Sequence, residues 1–138
     1  MFRWRAVVSF SALAAASACG DSSGSEAAGS LTAAPCPDAS VVSYEADIQP
    51  LMATYCTKCH AKAVPPAQRN GAPTDHNFDS ELGVLSEAQH VDMAAGASGN
   101  VVNTKMPPPG YPAPSVQERQ KLSEWLACTA PPNTSHEH

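Results

Sequence analysis

The chain carries the stretch YCTKCH at Tyr55–His60. Two thiols stand two residues apart, with an imidazole directly behind the second. Three chemistries use such a run: a structural zinc site, a redox-active dithiol, and covalent anchoring of a haem. The surrounding sequence separates them. Structural zinc wants four ligands, commonly a second Cys or His pair at a regular interval. Here Cys36 and Cys128 are single and distant, and His76 and His90 do not form a sequence pair. A thioredoxin-like dithiol wants a strand–helix–strand setting, and no strand pattern precedes Cys56. A plain disulfide across the pair leaves His60 unexplained. Two thiols at this spacing, at the end of a helix, reach the two vinyl groups of one porphyrin, and the next residue turns its imidazole to the iron. The motif is therefore read as c-type haem attachment, with Cys56 and Cys59 as thioether anchors and His60 as the proximal ligand.

Working outward, SYEADIQPLMATYCTKCH reads as a helix that delivers the motif. Ile48, Leu51, Met52 and Tyr55 fall at i, i+3, i+4 and i+7, one apolar stripe. Ser43 and Asp47 are both candidate caps. Pro50 belongs in a first turn, which favours Asp47. The segment after His60 is loop, broken by Pro65, Pro66, Gly71 and Pro73. SELGVLSEAQHVDMAAG is a helix candidate whose first turn Gly83 weakens. ASGNVVNTKMPPPGYPAP is extended loop. SVQERQKLSEWLAC is the strongest helix, with Ser115 and Glu118 as a capping box and Leu122, Trp125 and Leu126 as its apolar face. Trp125 and Leu126 are expected to pack on Ile48, Leu51 and Met52, and Met52 and Met93 read as core. With neither repeats nor alternating strand patterns, the fold class is all-α with long loops. Long proline-rich loops are uncommon in a compact domain. They make sense when wrapped around a large rigid ligand.

Composition bounds the rest. The chain has 138 residues, 13 prolines, 6% aromatics and a formal net charge of −5. One small domain is expected, with a thin core that calls for a staple. The acidic balance gives no basic face for nucleic acid. Arg3 and Arg5 precede an apolar run, Ala6 to Ala18, of signal-peptide length. The tail bearing His136 and His138 reads as solvated.

Residues 44–128 resemble a monohaem, class I-like c-type cytochrome domain. The likeness rests on CTKCH after an N-terminal helix, on KMPPPG in a proline-rich loop, and on LSEWLAC in the last helix. It implies a small cytochrome c-like fold of three or so helices wrapped around one covalent haem c. The family places its second axial ligand in a short proline-flanked loop before the last helix, and Met106 stands there. A thioether suits haem iron and raises its potential. His90 is the rival ligand. The family also anchors its proximal histidine on a proline carbonyl, for which Pro65 or Pro66 would serve. Ala16-Ser17-Ala18-Cys19 resembles a bacterial lipobox, which implies lipidation of Cys19.

The expected organisation is a signal peptide at 1–18, a flexible tether at 19–40, a cytochrome c-like domain at 41–130 and a disordered tail at 131–138. Lipid on Cys19 and haem on Cys56 and Cys59 leave Cys36 and Cys128, expected to pair in an oxidising compartment. The implied function is one-electron transfer, without catalysis on a diffusible organic substrate. The lipid would tie the protein to the exported side of a bacterial membrane, near redox partners with a basic docking patch. The alternatives are a haem-bearing subunit of a larger oxidoreductase, or a sensor or peroxidase-like protein with an open iron site.

Overall fold

A computed structural model describes residues 31–130. The expected signal peptide, Cys19 and the tail from residue 131 onward lie outside the described residues. The fold is mostly helical: α1 Gln49–Tyr55, α2 Glu81–Ser86, α3 Ala88–Ala95 and α4 Val116–Thr129, with a short antiparallel hairpin of β1 Ala97–Ser98 and β2 Val101–Val102. The hairpin pairs Ala97 with Val102 and Ser98 with Val101. It turns on Gly99, whose φ of 55° lies in the left-handed region. None of the described helices is long and apolar enough to cross a membrane.

The entry into α1 differs from the sequence reading. A π-helical turn at Tyr44–Ile48 precedes α1, and Ser43 caps it by accepting a hydrogen bond from the Ala46 N–H. The wide turn lets Ile48 and Gln49 donate to Ser43 and Tyr44, five residues back. Pro50, which has no N–H to give, then falls in the first turn of a new α-helical register. Asp47 is not the cap. It instead accepts from the Ser43 N–H at 3.1 Å and from Lys121 Nζ at 2.8 Å, tying the turn to α4. The lysine contact, followed by the Ser43 hydrogen bond, holds the Asp47 carboxyl below its ordinary value.

The stretch read as one helix at 80–95 is two. Ser80 caps α2 by accepting from Gly83 N–H. The chain leaves helical geometry at Glu87 (φ −115°, ψ 23°), and α3 restarts beyond it. Gly83 is required by a close approach rather than merely tolerated, because a Cβ there would overlap the Asn77 carbonyl oxygen. The hairpin was missed because two-residue strands carry no alternation to read.

The core joins the α1 stripe to α4. Ile48, Met52, Val84 and Leu122 are fully buried, and Leu51, Trp125 and Leu126 pack in the same cluster. Tyr44 meets Trp125 with ring centroids 5.7 Å apart. Met93, expected in the core, is half-buried and faces the cavity described below.

A polar knot holds the far side. Asp92, buried on α3, accepts from Thr32 N–H and Thr32 Oγ1 at 2.8 Å each and from Ser123 Oγ at 2.6 Å. Its own carbonyl accepts from Asn103 Nδ2 at 2.8 Å. Segment 31–40, assigned to the tether, is thus docked: Thr32 is buried, and Cys36 is bonded to Cys128 at the end of α4.

Helix α4 begins with a complete capping box. Ser115 Oγ accepts from Glu118 N–H, and Glu118 Oε2 accepts from Ser115 N–H at 2.7 Å. These bonds, the backbone one foremost, hold the Glu118 carboxyl below its ordinary value. Glu118 also accepts from Tyr55 OH at 3.3 Å, so the cap steadies the last residue of α1. Ser115→Ala is expected to cost about 1 kcal/mol, a fall in Tm of roughly 4–8 °C for a domain of this size, read by thermal circular dichroism. Because the Glu118 pKa is depressed on folding, its share of the stabilisation is present above the unfolded carboxylate pKa of about 4.3. It is lost as pH falls through the lower folded value. A variant that melts with the wild type at neutral pH would remove any role for the box.

Candidate functional site

Chain geometry after α1 presents the motif. Cys56 and Thr57 N–H both donate to Met52, and Cys59 and His60 N–H both donate to Cys56, so the motif folds into a tight turn rather than continuing the helix. Cys56, Cys59 and His60 then line a cavity of about 480 Å³. Met106 lines the same cavity from 46 residues further along the chain, with Met52, Phe78, Val91 and Leu122 among the apolar walls. That volume lies within the usual range for small-molecule and cofactor sites. The structure therefore brings together the four side chains singled out from the sequence. His90 lines the cavity too.

His60 is held on both sides. Its ring stacks on Phe78 with centroids 4.6 Å apart. Its Nδ1 lies 3.3 Å from the His76 carbonyl oxygen, and its own carbonyl accepts from Phe78 N–H at 2.7 Å. The expected acceptor at Pro65 or Pro66 is thus replaced by His76, because the chain loops back between residues 61 and 77 before it passes His60. With Nδ1 engaged, Nε2 is the ring nitrogen left for a metal. Burial lowers the His60 pKa, which favours the neutral, ligating imidazole.

Arg69 builds that return loop. Buried at 2% exposure, it donates to the carbonyls of Ala61, Ala72, Pro73 and His76 and to Asn77 Oδ1. Arg119, also buried, serves the opposite wall in the same way. It donates to the carbonyls of Pro114, Ala95, Asn103 and Met106, the last at 3.0 Å. Met106 N–H meanwhile donates to Ala94 at 2.9 Å. Both backbone groups of Met106 are therefore fixed, one by α3 and one by α4, and the peptide bond to Pro107 is cis.

Neither arginine was found from the sequence. Arg119 sits on the stripe 119, 122, 123, 126, so helical periodicity alone would have placed it inside. Arg69 has no comparable signal, since its partners are loop carbonyls.

The thiols are not bonded to each other. Burial pushes the Cys56 thiol up to about 12, and the nearby Arg119 only partly opposes this. Reactive C-x-x-C cysteines run the other way, with depressed pKa values that supply thiolate. The arrangement therefore disfavours a working dithiol. Cys36 and Cys128 form a disulfide with an S–S distance of 2.05 Å across 92 residues.

The His90 ring also engages Glu87: Nδ1 lies 2.9 Å from Glu87 Oε2. His76 Nε2 lies 3.4 Å from the same oxygen. The two histidines, read as unpaired by spacing, are brought within 5.7 Å of each other by ring centroid. No family model matches the chain, and comparison with curated proteins and with solved structures returns no match.

Proposed function

We propose that this protein is a one-electron carrier with a single covalently attached haem c, ligated by His60 and Met106, and held to the exported side of a membrane through lipid on Cys19. The observation that carries the reading is the convergence of Cys56, Cys59, His60 and Met106 on one apolar cavity, although Met106 lies 46 residues beyond His60 in sequence.

The residues present fit the group. Two unpaired thiols offer thioether anchors, an imidazole with Nδ1 engaged offers Nε2, and a thioether offers the soft axial partner. When bound, the haem supplies a reversible iron(III)/iron(II) couple. The chain's part is to hold and shield it. Arg69 and the His76 carbonyl set the orientation of His60. Arg119 and Ala94 fix the backbone on either side of the Met106 side chain. Were His60 and Met106 both to hold the iron, substrate would have no place on it, which would suit transfer rather than catalysis. The Cys36–Cys128 disulfide agrees with an exported, oxidising location.

The test is expression with a cytochrome c maturation system. Haem staining after denaturing electrophoresis should mark the wild type and not a Cys56→Ser/Cys59→Ser double variant. The oxidised protein should show the weak red charge-transfer band of His/Met haem, lost in Met106→Ala and kept in His90→Ala. Rapid carbon monoxide binding by the reduced wild type would favour an open-site sensor or peroxidase instead. Absence of covalent haem would end the proposal. In fractionated cells, Cys19→Ala should leave the membrane fraction.

A further inference from the structure

Outside the cavity's four central residues, His76, Glu87 and His90 form a second constellation. Their ligand atoms all lie within 4.8 Å of one another. We propose that these three residues bind a divalent metal ion of borderline softness, such as zinc, through a ligand set distinct from Cys56, Cys59, His60 and Met106, although His76 and His90 line the same cavity.

Donor chemistry is the first argument. Two imidazoles and one carboxylate suit zinc, copper or nickel, whereas calcium and magnesium want oxygen ligands throughout. Spacing is the second. Zinc–nitrogen and zinc–oxygen bonds of about 2.0–2.2 Å place tetrahedral ligands roughly 3.3–3.6 Å apart. The observed separations are 2.9 Å for His90 Nδ1 to Glu87 Oε2 and 3.4 Å for His76 Nε2 to the same oxygen. The ligand atoms of His76 and His90 lie within 4.8 Å of each other.

The third argument is how the residues are held. Glu87 stands at the break between α2 and α3, and His90 follows three residues later on the first turn of α3. The break turns the Glu87 carboxylate inward, to 9% exposure. Its partners across the gap are the two imidazoles. His76 arrives from the return loop, where Arg69 Nη2 donates to its carbonyl at 2.7 Å. The buried arginine thus positions this ligand before any ion arrives. His90 is 47% exposed, which leaves a path from solvent. Three protein ligands leave the fourth place to water or an exogenous ligand.

The inference does not rest on the haem reading, except that it requires His90 to be off the iron. Calorimetric titration of the purified full-length chain with zinc chloride tests it, with haem content scored separately by stain. One saturable zinc per chain is expected in the haem-loaded protein, and in a Cys56→Ser/Cys59→Ser variant where haem is absent, and none with calcium chloride. Loss of a direct ligand, in His90→Ala or Glu87→Gln, should weaken binding by more than the about 10- to 100-fold typical of losing an outer partner. A His136→Ala/His138→Ala variant should bind as the wild type does. His90→Ala removes a half-exposed ring, so it should fold, as far-ultraviolet circular dichroism will report. Four results overturn the proposal: no saturable zinc binding, binding undiminished in folded His90→Ala, binding lost with the two tail histidines, or a haem spectrum altered by His90→Ala.

Discussion

Arg119→Met is expected to destabilise the protein by about 3–5 kcal/mol, a large part of the roughly 5–15 kcal/mol that a small domain has available. Methionine keeps much of the arginine's apolar bulk and removes its donors. Ala95, Asn103 and Met106 would then keep carbonyls that the Arg119 guanidinium now satisfies in the interior. An unsatisfied buried acceptor costs about 1–3 kcal/mol. The predicted fall in Tm is at least about 12 °C, measured by circular dichroism. Arg119→Lys should recover only part of it, because one ammonium cannot reproduce a planar fork aimed at several carbonyls. In haem-loaded protein, the methionine variant should also bind carbon monoxide faster at temperatures where it remains folded, since the Met106 carbonyl loses its hold on α4. A variant that melts within a few degrees of wild type would mean that water replaces the guanidinium, and the positioning role would fall with it.

Removing the Cys36–Cys128 bond has an effect of similar size by a different route. The bond closes a 92-residue separation. In the chain-entropy model, a loop of that length restricts the unfolded ensemble by about 4–5 kcal/mol. The contribution is made mainly in the unfolded state, so folded-state spectra of a Cys36→Ser/Cys128→Ser variant should match those of the wild type. Its denaturation midpoint should fall, and reduced wild type should fall equally. A loss below about 1 kcal/mol would mean that the unfolded chain already retains structure that restricts this loop.

What the sequence displayed was local or periodic. The Ser115–Glu118 box needs only a three-residue spacing. Leu122, Trp125 and Leu126 needed only the helical period, and all are buried. The motif at Cys56–His60 and the proline-flanked Met106 were visible as short runs, and they face one cavity. What stayed hidden depends on contacts across long separations. The acceptor for His60 is a backbone carbonyl, and every residue has one. Arg69 and Arg119 bond mostly to such carbonyls, so residue type gives no clue to either partner set. His76 meets Glu87 and His90 only because the return loop and the helix break converge. Ser43, one of two candidate caps, is passed over in favour of Asp47 for a different reason. A helix that opens with a π-helical turn shifts where Pro50 is allowed.

The docking of Thr32 on Asp92 also bounds how much chain can separate Cys19 from the folded body. If lipid sits on Cys19, the chain between lipid and docked body is not the whole stretch to Ser40. It ends at Thr32, thirteen residues on. At roughly 3.5 Å per residue, that run reaches at most about 45 Å. Sweeping volume scales with the cube of reach, so the space to be searched shrinks about fourfold relative to the longer run. On the proposed lipid anchorage, the few hydrogen bonds at Asp92 would thus keep the body close to the membrane surface, where encounters with neighbours embedded in the same bilayer are most frequent.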